Sequence, residues 1–119
     1  MNMEFTLFKI EAMVRPNRLE AVQEALHDID LRSLTVTECR GIGKRQSASH
    51  TFRGSQYVSH LPPISKIELF VPATRVEDAI EAIHQAAETG EVGDGKIFVL
   101  PVWDAMRIRT GERGPAALE

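Results

Sequence analysis

Hydrophobic positions in this chain follow two periods in turn, and the switch from one to the other happens twice in the same order. Segments 5–14 and 64–71 are rich in β-branched and apolar residues, the pattern of strands. Each is followed by apolar residues at steps of three and four, the stripe of an amphipathic helix. Leu19, Val22, Leu26 and Ile29 form the first stripe; Val76, Ile80 and Ile83 form the second. Each helical pattern gives way to a further apolar run, 34–40 and 96–102. Asn17 with Glu20, and Thr74 with Glu77, have the spacing of capping pairs, and Gly90 marks the end of the second helix.

The two halves also repeat in letters. Lys9-Ile10-Glu11-Ala12-Met13-Val14-Arg15-Pro16 returns as Lys66-Ile67-Glu68-Leu69-Phe70-Val71-Pro72. The order βαββαβ predicts an α+β fold of the ferredoxin-like kind, a four-stranded antiparallel sheet backed by two helices. Two features exceed what that fold needs. The sheet reads as apolar on both faces: Phe8, Ile10, Ala12 and Val14 lie on one side, Leu7 and Met13 on the other, and Ile97-Phe98-Val99-Leu100 has no alternation. Two helices cover one face, so the second face is expected to meet another chain or a ligand. Moreover, residues 41–63 separate two strands that a short turn could join. This stretch is polar and aperiodic, and it reads as a functional loop ordered by a ligand or partner.

Composition narrows the class. A length of 119 residues suits one domain, 1–119, with the long loop at about 41–63 and a C-terminal segment at about 103–119. Fourteen Lys and Arg against seventeen Asp and Glu give a net charge of -3, too weak to hold nucleic acid by bulk charge. Cys39 is the one cysteine, so neither an internal disulfide nor an all-cysteine metal site can form within one chain. No apolar run is long enough for a membrane span, and the N-terminus lacks a signal-peptide pattern, which predicts a cytoplasmic protein without membrane insertion. His27, His50, His60 and His84 lack metal-ligand spacing, and no Ser/His/Asp or Cys/His set stands out. Catalytic and metal residues are therefore expected to be absent, with a small ferredoxin-like enzyme as the alternative of another class.

The candidate chemistry lies in glycine and arginine. Thr89-Gly90-Glu91-Val92-Gly93-Asp94-Gly95-Lys96 places three glycines in six residues, letting backbone N–H groups converge on an anion, with Lys96 adding charge. Arg107 and Arg109, two apart, point the same way in an extended segment. A guanidinium pair beside such a nest suits a di- or triphosphate. From spacing alone, a plain turn and a solvated arginine face explain these residues as well.

The segments K-I-E-A-M-V-R-P (9–16), T-V-T-E (35–38), F-R-G-S-Q-Y-V (52–58), K-I-E-L-F-V-P (66–72), T-G-x-V-G-D-G-K-I-F-V (89–99) and R-I-R-T-G-E-R (107–113) together resemble the PII signal-transduction family over essentially the whole chain. The resemblance implies a homotrimer that binds ATP or ADP in clefts between subunits. It also implies control of a transporter or metabolic enzyme through the loop at 41–63, the family's T-loop. By position it implies phosphate contacts at Gly93, Asp94, Gly95, Lys96, Arg107 and Arg109, adenine contacts at Thr35 and Phe70, and loop-base contacts at Gly43 and Lys44. Arg53 and Tyr57 are the expected partner contacts, and Tyr57 matches the tyrosine modified in some bacterial members.

Two departures from the family pattern bear on a second ligand. Arg45 stands where a glutamine helps hold Mg²⁺-ATP and 2-oxoglutarate, and Ile64 stands where a lysine pairs with a carboxylate of 2-oxoglutarate. A cation facing Mg²⁺ and a dicarboxylate without its partner predict weak binding of both. Gln46 and Lys66 lie beside these positions and are the residues to take over the roles. ADP, AMP or bicarbonate would be the alternative signals.

Overall fold

The computed structural model describes residues 5–42, 49–52, 55–58 and 61–119, of which 49–52 and 55–58 are described by backbone alone. The elements run β1 (Leu7–Val14), α1 (Leu19–Asp28), β2 (Thr35–Arg40), β3 (Ser49–Phe52), β4 (Ser55–Val58), β5 (Pro63–Pro72), α2 (Val76–Ala87) and β6 (Gly95–Val102). Four strands form an antiparallel sheet in the order β2-β5-β1-β6. The fold is therefore the ferredoxin-like α+β arrangement that the repeat predicts. In the central pair, Glu11 lies opposite Glu68 and Ile10 opposite Leu69, so the two Lys-Ile-Glu segments run side by side.

Period-2 alternation sends Phe8, Ile10, Ala12 and Val14 of β1, with Ile67, Leu69 and Val71 of β5, toward the helices. Val22 and Leu26 of α1 and Val76, Ala79 and Ile83 of α2 meet them, and all these residues are buried. Ser65 is the buried polar residue of this face. Its hydroxyl donates to Glu38 Oε1 at 3.0 Å across the β2–β5 pair, which removes the cost of an unpaired hydroxyl.

The helix starts differ from the capping expectation. Neither Asn17 nor Thr74 caps a helix; the N-cap residues are Arg18 and Arg75, and neither makes a side-chain cap bond. Both helices are entered through 3-10 turns, Pro16–Arg18 and Ala73–Arg75. Tight backbone bonds from Leu19 N–H to the Pro16 carbonyl and from Val76 N–H to the Ala73 carbonyl serve the first donors instead. The end of α2 also comes earlier than Gly90: the helix stops at Ala87, Glu88 is extended, and Gly90 adopts φ 86° within the following turn.

The 41–63 stretch is not without regular structure. It holds a two-stranded antiparallel ribbon, β3 with β4, in which Ser49 lies opposite Val58 and His50 opposite Tyr57. Thr51, Phe52, Tyr57 and Val58 are residues that favour a pleated backbone, a local signal hidden by the surrounding serines and glycines.

The second face of the sheet is not apolar throughout. Between Leu7 and Met13, alternation also places Lys9 and Glu11 there, and β5 adds Lys66 and Glu68. Lys9 Nζ lies 2.7 Å from Glu68 and 3.2 Å from Glu11; Lys66 Nζ lies 3.9 Å from Glu11 and 4.0 Å from Glu68. The hydrogen bond from Lys9 to Glu68 raises the pKa of the lysine and lowers that of Glu68. The repeat thus builds a charged centre, and the apolar part is a rim of Phe70, Phe98 and Leu100, each more than one-third exposed.

Candidate ligand site

The glycine-rich turn between α2 and β6 is organised around a single carboxylate. Asp94 Oδ2 accepts from the backbone N–H of Thr89 at 2.7 Å and of Gly90 at 2.9 Å, and Oδ1 accepts from the Thr89 hydroxyl and from Arg15 Nε at 3.0 Å. These donors, the Thr89 hydroxyl foremost, hold the Asp94 carboxyl far below the usual carboxylate range, against an opposing contribution from burial. Two amides of the nest expected to receive an external anion thus already receive an internal one.

The remaining amides belong to a backbone that only glycine allows. Gly93 has φ 105° and Gly95 φ 102°. A Cβ on Gly95 would lie 1.7 Å from the Met13 carbonyl oxygen, so the chain there runs flush against β1. Next to it, Lys96 pairs with Met13 at the exposed start of β6. A cleft of about 350 Å³ opens between this start and α2, lined by Ile80, Ile83, His84, Asp94, Gly95 and Lys96 among others. The outermost strand is incompletely covered by the helices, and Val99 on its helix-facing side stays 37% exposed.

Arg107 and Arg109 belong to the other end of that strand. With eight residues at about 3.3 Å each, the ends of β6 lie roughly 23 Å apart. Trp103, just past β6, meets Phe5 edge-on with ring centroids 6.1 Å apart, which keeps the chain at the Leu7 end of β1. Among the described residues, no hydrogen bond or ion pair links 93–96 to either arginine. Nor is the segment extended as expected. Residues 108–110 form a turn closed by Gly111 N–H on the Arg107 carbonyl at 2.7 Å and by Arg107 N–H on the Glu112 carbonyl at 2.8 Å. Arg107 donates to the carboxylate of Glu112, to the carbonyl oxygen of Ala116 at 2.8 Å and to a main-chain oxygen of Glu119. Asp104 accepts from Arg113 Nε at 2.8 Å and from two backbone amides, which lowers its carboxyl pKa.

Thr35 and Phe70 share the second face of the sheet. Thr35 lies opposite Glu68, two residues before Phe70 in β5, and both side chains are exposed. Gly43 and Lys44, with Arg45, Gln46 and Arg53, lie outside the described residues. Tyr57 is described only as a backbone position opposite His50. Lys66 is engaged with the charged quartet, and Ile64 fills the space beside Gly41, where a Cβ would sit 2.7 Å from Ile64 Cδ1.

Sequence reasoning passed over Arg15. The signal was present, because the first copy of the repeat reads Val14-Arg15-Pro16 where the second reads Val71-Pro72.

A ferredoxin-like sheet with one uncovered face, a glycine turn beside its edge strand and a hairpin insertion between β2 and β5 define a distinct class of small α+β fold. The family model for nitrogen regulatory protein P-II matches residues 7–112, which includes every described candidate position. The chain is 52% identical over 110 residues to the nitrogen regulatory protein P-II of Rhodospirillum rubrum, covering 92% of this chain and 98% of the relative. Over the same coverage it is 49% identical to the P-II of Azospirillum brasilense. It is also similar to the crystal structure of Arabidopsis thaliana PII bound to citrate, with 41% identity, a TM-score of 0.79, and coverage of 97% of this chain and 92% of that one. The chain belongs to the nitrogen regulatory protein P-II family of signal-transduction proteins.

Proposed function

We propose that the chain, as one domain of residues 1–119, is an adenine-nucleotide-responsive regulator that works in the cytoplasm as a homotrimer, with ATP or ADP bound between copies. The observation that carries this reading is the separation along β6 of the glycine turn from the arginine segment. Gly93, Gly95 and Lys96 at one end and Arg107 and Arg109 at the other complete a di- or triphosphate site when one copy offers the nest and its neighbour the arginines. Thr35 and Phe70 serve the adenine side, and Gly43 and Lys44 the loop base. The exposed second face, charged at its centre and apolar at its rim, is the surface a copy buries. That a solved relative holds citrate, a polyanion, accords with anion recognition by this fold.

The output is the segment 41–63, with Tyr57 as a contact to a target transporter or enzyme and as the position open to modification. Mg²⁺ and 2-oxoglutarate are weak ligands in this reading, because Ile64 carries no charge and Lys66 already faces Glu11 and Glu68. Calorimetry with ADP and with ATP tests the reading. Wild type is expected to bind both, and Lys96→Ala and Arg107→Ala to lose thirty-fold or more, on the order of one charged hydrogen bond each. Equal binding by all three proteins places the ligand elsewhere.

A further inference from the structure

The two strand-to-helix junctions each hold the far end of the other half's helix. At the second junction, Arg75 Nη2 donates to the Ile29 carbonyl just past α1 at 2.6 Å. At the first, Arg15 reaches the turn after α2: Nε donates to Asp94 Oδ1 at 3.0 Å and Nη2 to the Val92 carbonyl at 2.9 Å. The position of Arg15 in the first half corresponds to Pro72 in the second. Both precede a 3-10 turn with nearly the same extended backbone, φ -63° and ψ 140° against φ -68° and ψ 155°. The backbone therefore does not require an arginine here, and a proline at this place offers no donor at all.

The contact spans 79 positions of sequence. Thr89, Gly90 and Asp94 otherwise bond among themselves, which closes the turn but does not aim it. Arg15, directly after the residue paired with Gly95, fixes the closed turn against the end of β1. The side chains of Arg15 and Asp94 are 29% and 22% exposed, so the pair is partly shielded from water. Two acceptors of different kinds, a carboxylate and a backbone carbonyl, are taken by neighbouring donors of one rigid plane. An ammonium group lacks that fork geometry.

We propose that Arg15 is the positioning residue of the phosphate nest, holding 89–95 in the shape that receives a nucleotide by bridging Asp94 and the Val92 carbonyl without touching the ligand. The inference rests on the nucleotide-binding reading above. Its Nε and Nη2 donors are taken by protein acceptors, and in this proposal it acts through the turn rather than on the phosphates.

The test combines calorimetry with ADP and amide hydrogen exchange on the nucleotide-free protein, for wild type, Arg15→Gln, Arg15→Lys, Asp94→Asn and the Arg15→Gln/Asp94→Asn double variant. Arg15→Gln is expected to weaken ADP binding about tenfold and to speed exchange at the Thr89 and Gly90 amides by a similar factor. Arg15→Lys keeps the charge but recovers only part of the affinity. The double variant is expected to be about as weak as its weaker parent, because the two residues act as one unit. Wild-type affinity in Arg15→Lys would assign the effect to charge alone and overturn the proposal. Unchanged exchange in Arg15→Gln would overturn it as well. If wild type binds no ADP, the nucleotide reading fails, and the exchange data still decide whether Arg15 holds the turn.

Discussion

The two halves of the repeat share a core and differ in the turn that ends each helix. Ile10 and Ile67 occupy the same place in Lys-Ile-Glu, lie on adjacent strands and are both fully buried. Past the helices the symmetry ends. After α1, Asp30 takes the left-handed conformation at φ 64°, with its carboxylate largely in solvent beside Arg32. After α2, Gly90, Gly93 and Gly95 have positive φ, and Asp94 gathers donors from within the turn and from Arg15. The same strand-and-helix unit thus ends once in an ordinary C-terminal turn and once in a shaped one. The difference shows that the repeat specifies the fold, while the departures from it mark the places where the chain does something else.

The strongest break of this comparison is at Gly95. Gly95→Ala sets a Cβ into the Met13 backbone and should lower unfolding stability by about 4 kcal/mol in denaturant titration. Gly90→Ala, with open space around it, should cost only the left-handed strain of about 1–2 kcal/mol. Equal losses would show that the turn has no close contact with β1.

The shared core sharpens the comparison next. Ile10→Ala and Ile67→Ala should each cost about 2–5 kcal/mol and agree with one another to within about 1 kcal/mol, measured at one protein concentration. A large disparity would mean that the halves are not equivalent inside.

The two aspartates are tested differently, Asp94 through pH and Asp30 through substitution. A carboxyl whose folded pKa is depressed contributes stability that is complete above its unfolded value, about 3.9, and is lost as pH falls below it. Protection of the Thr89 and Gly90 amides should therefore be flat from neutral pH down to about 5 and persist below the ordinary aspartate range before it fades. Loss of protection already near pH 5 would contradict the network around Asp94. The smallest effect is expected at Asp30→Gly, a gain of about 0.5–1 kcal/mol in denaturant titration from relief of left-handed strain.

The same contrast separates the features legible in the sequence from those that were not. Strand and helix order, the core stripes and the identity of the glycine turn are written in short-range periodicity, and the structure keeps them. The helix starts were misread because a Pro-led 3-10 turn satisfies the same donors as a capping box and leaves no polar signature of its own. The charged centre of the open face is masked in the sequence because Leu7 and Met13 bracket Lys9 and Glu11 on the same side of β1. Arg15 stands out where the two copies of the repeat differ, but its partner lies 79 residues away, and periodicity carries no information at that range. Likewise, the nest and the arginines are near in sequence yet belong to opposite ends of one strand.

The proposed sharing of a phosphate site between copies, with the two groups at opposite ends of β6, is tested most directly by complementation. Lys96→Ala and Arg107→Ala chains, each deficient in ADP binding alone, are co-expressed so that mixed oligomers form. If a site takes its lysine from one copy and its arginine from the next, random mixing restores about a quarter of the clefts to wild-type affinity in calorimetry. Recovery near that fraction is the predicted result. No recovery at all, in oligomers shown to be mixed, would place both residues of each site on one chain and contradict the shared-site account.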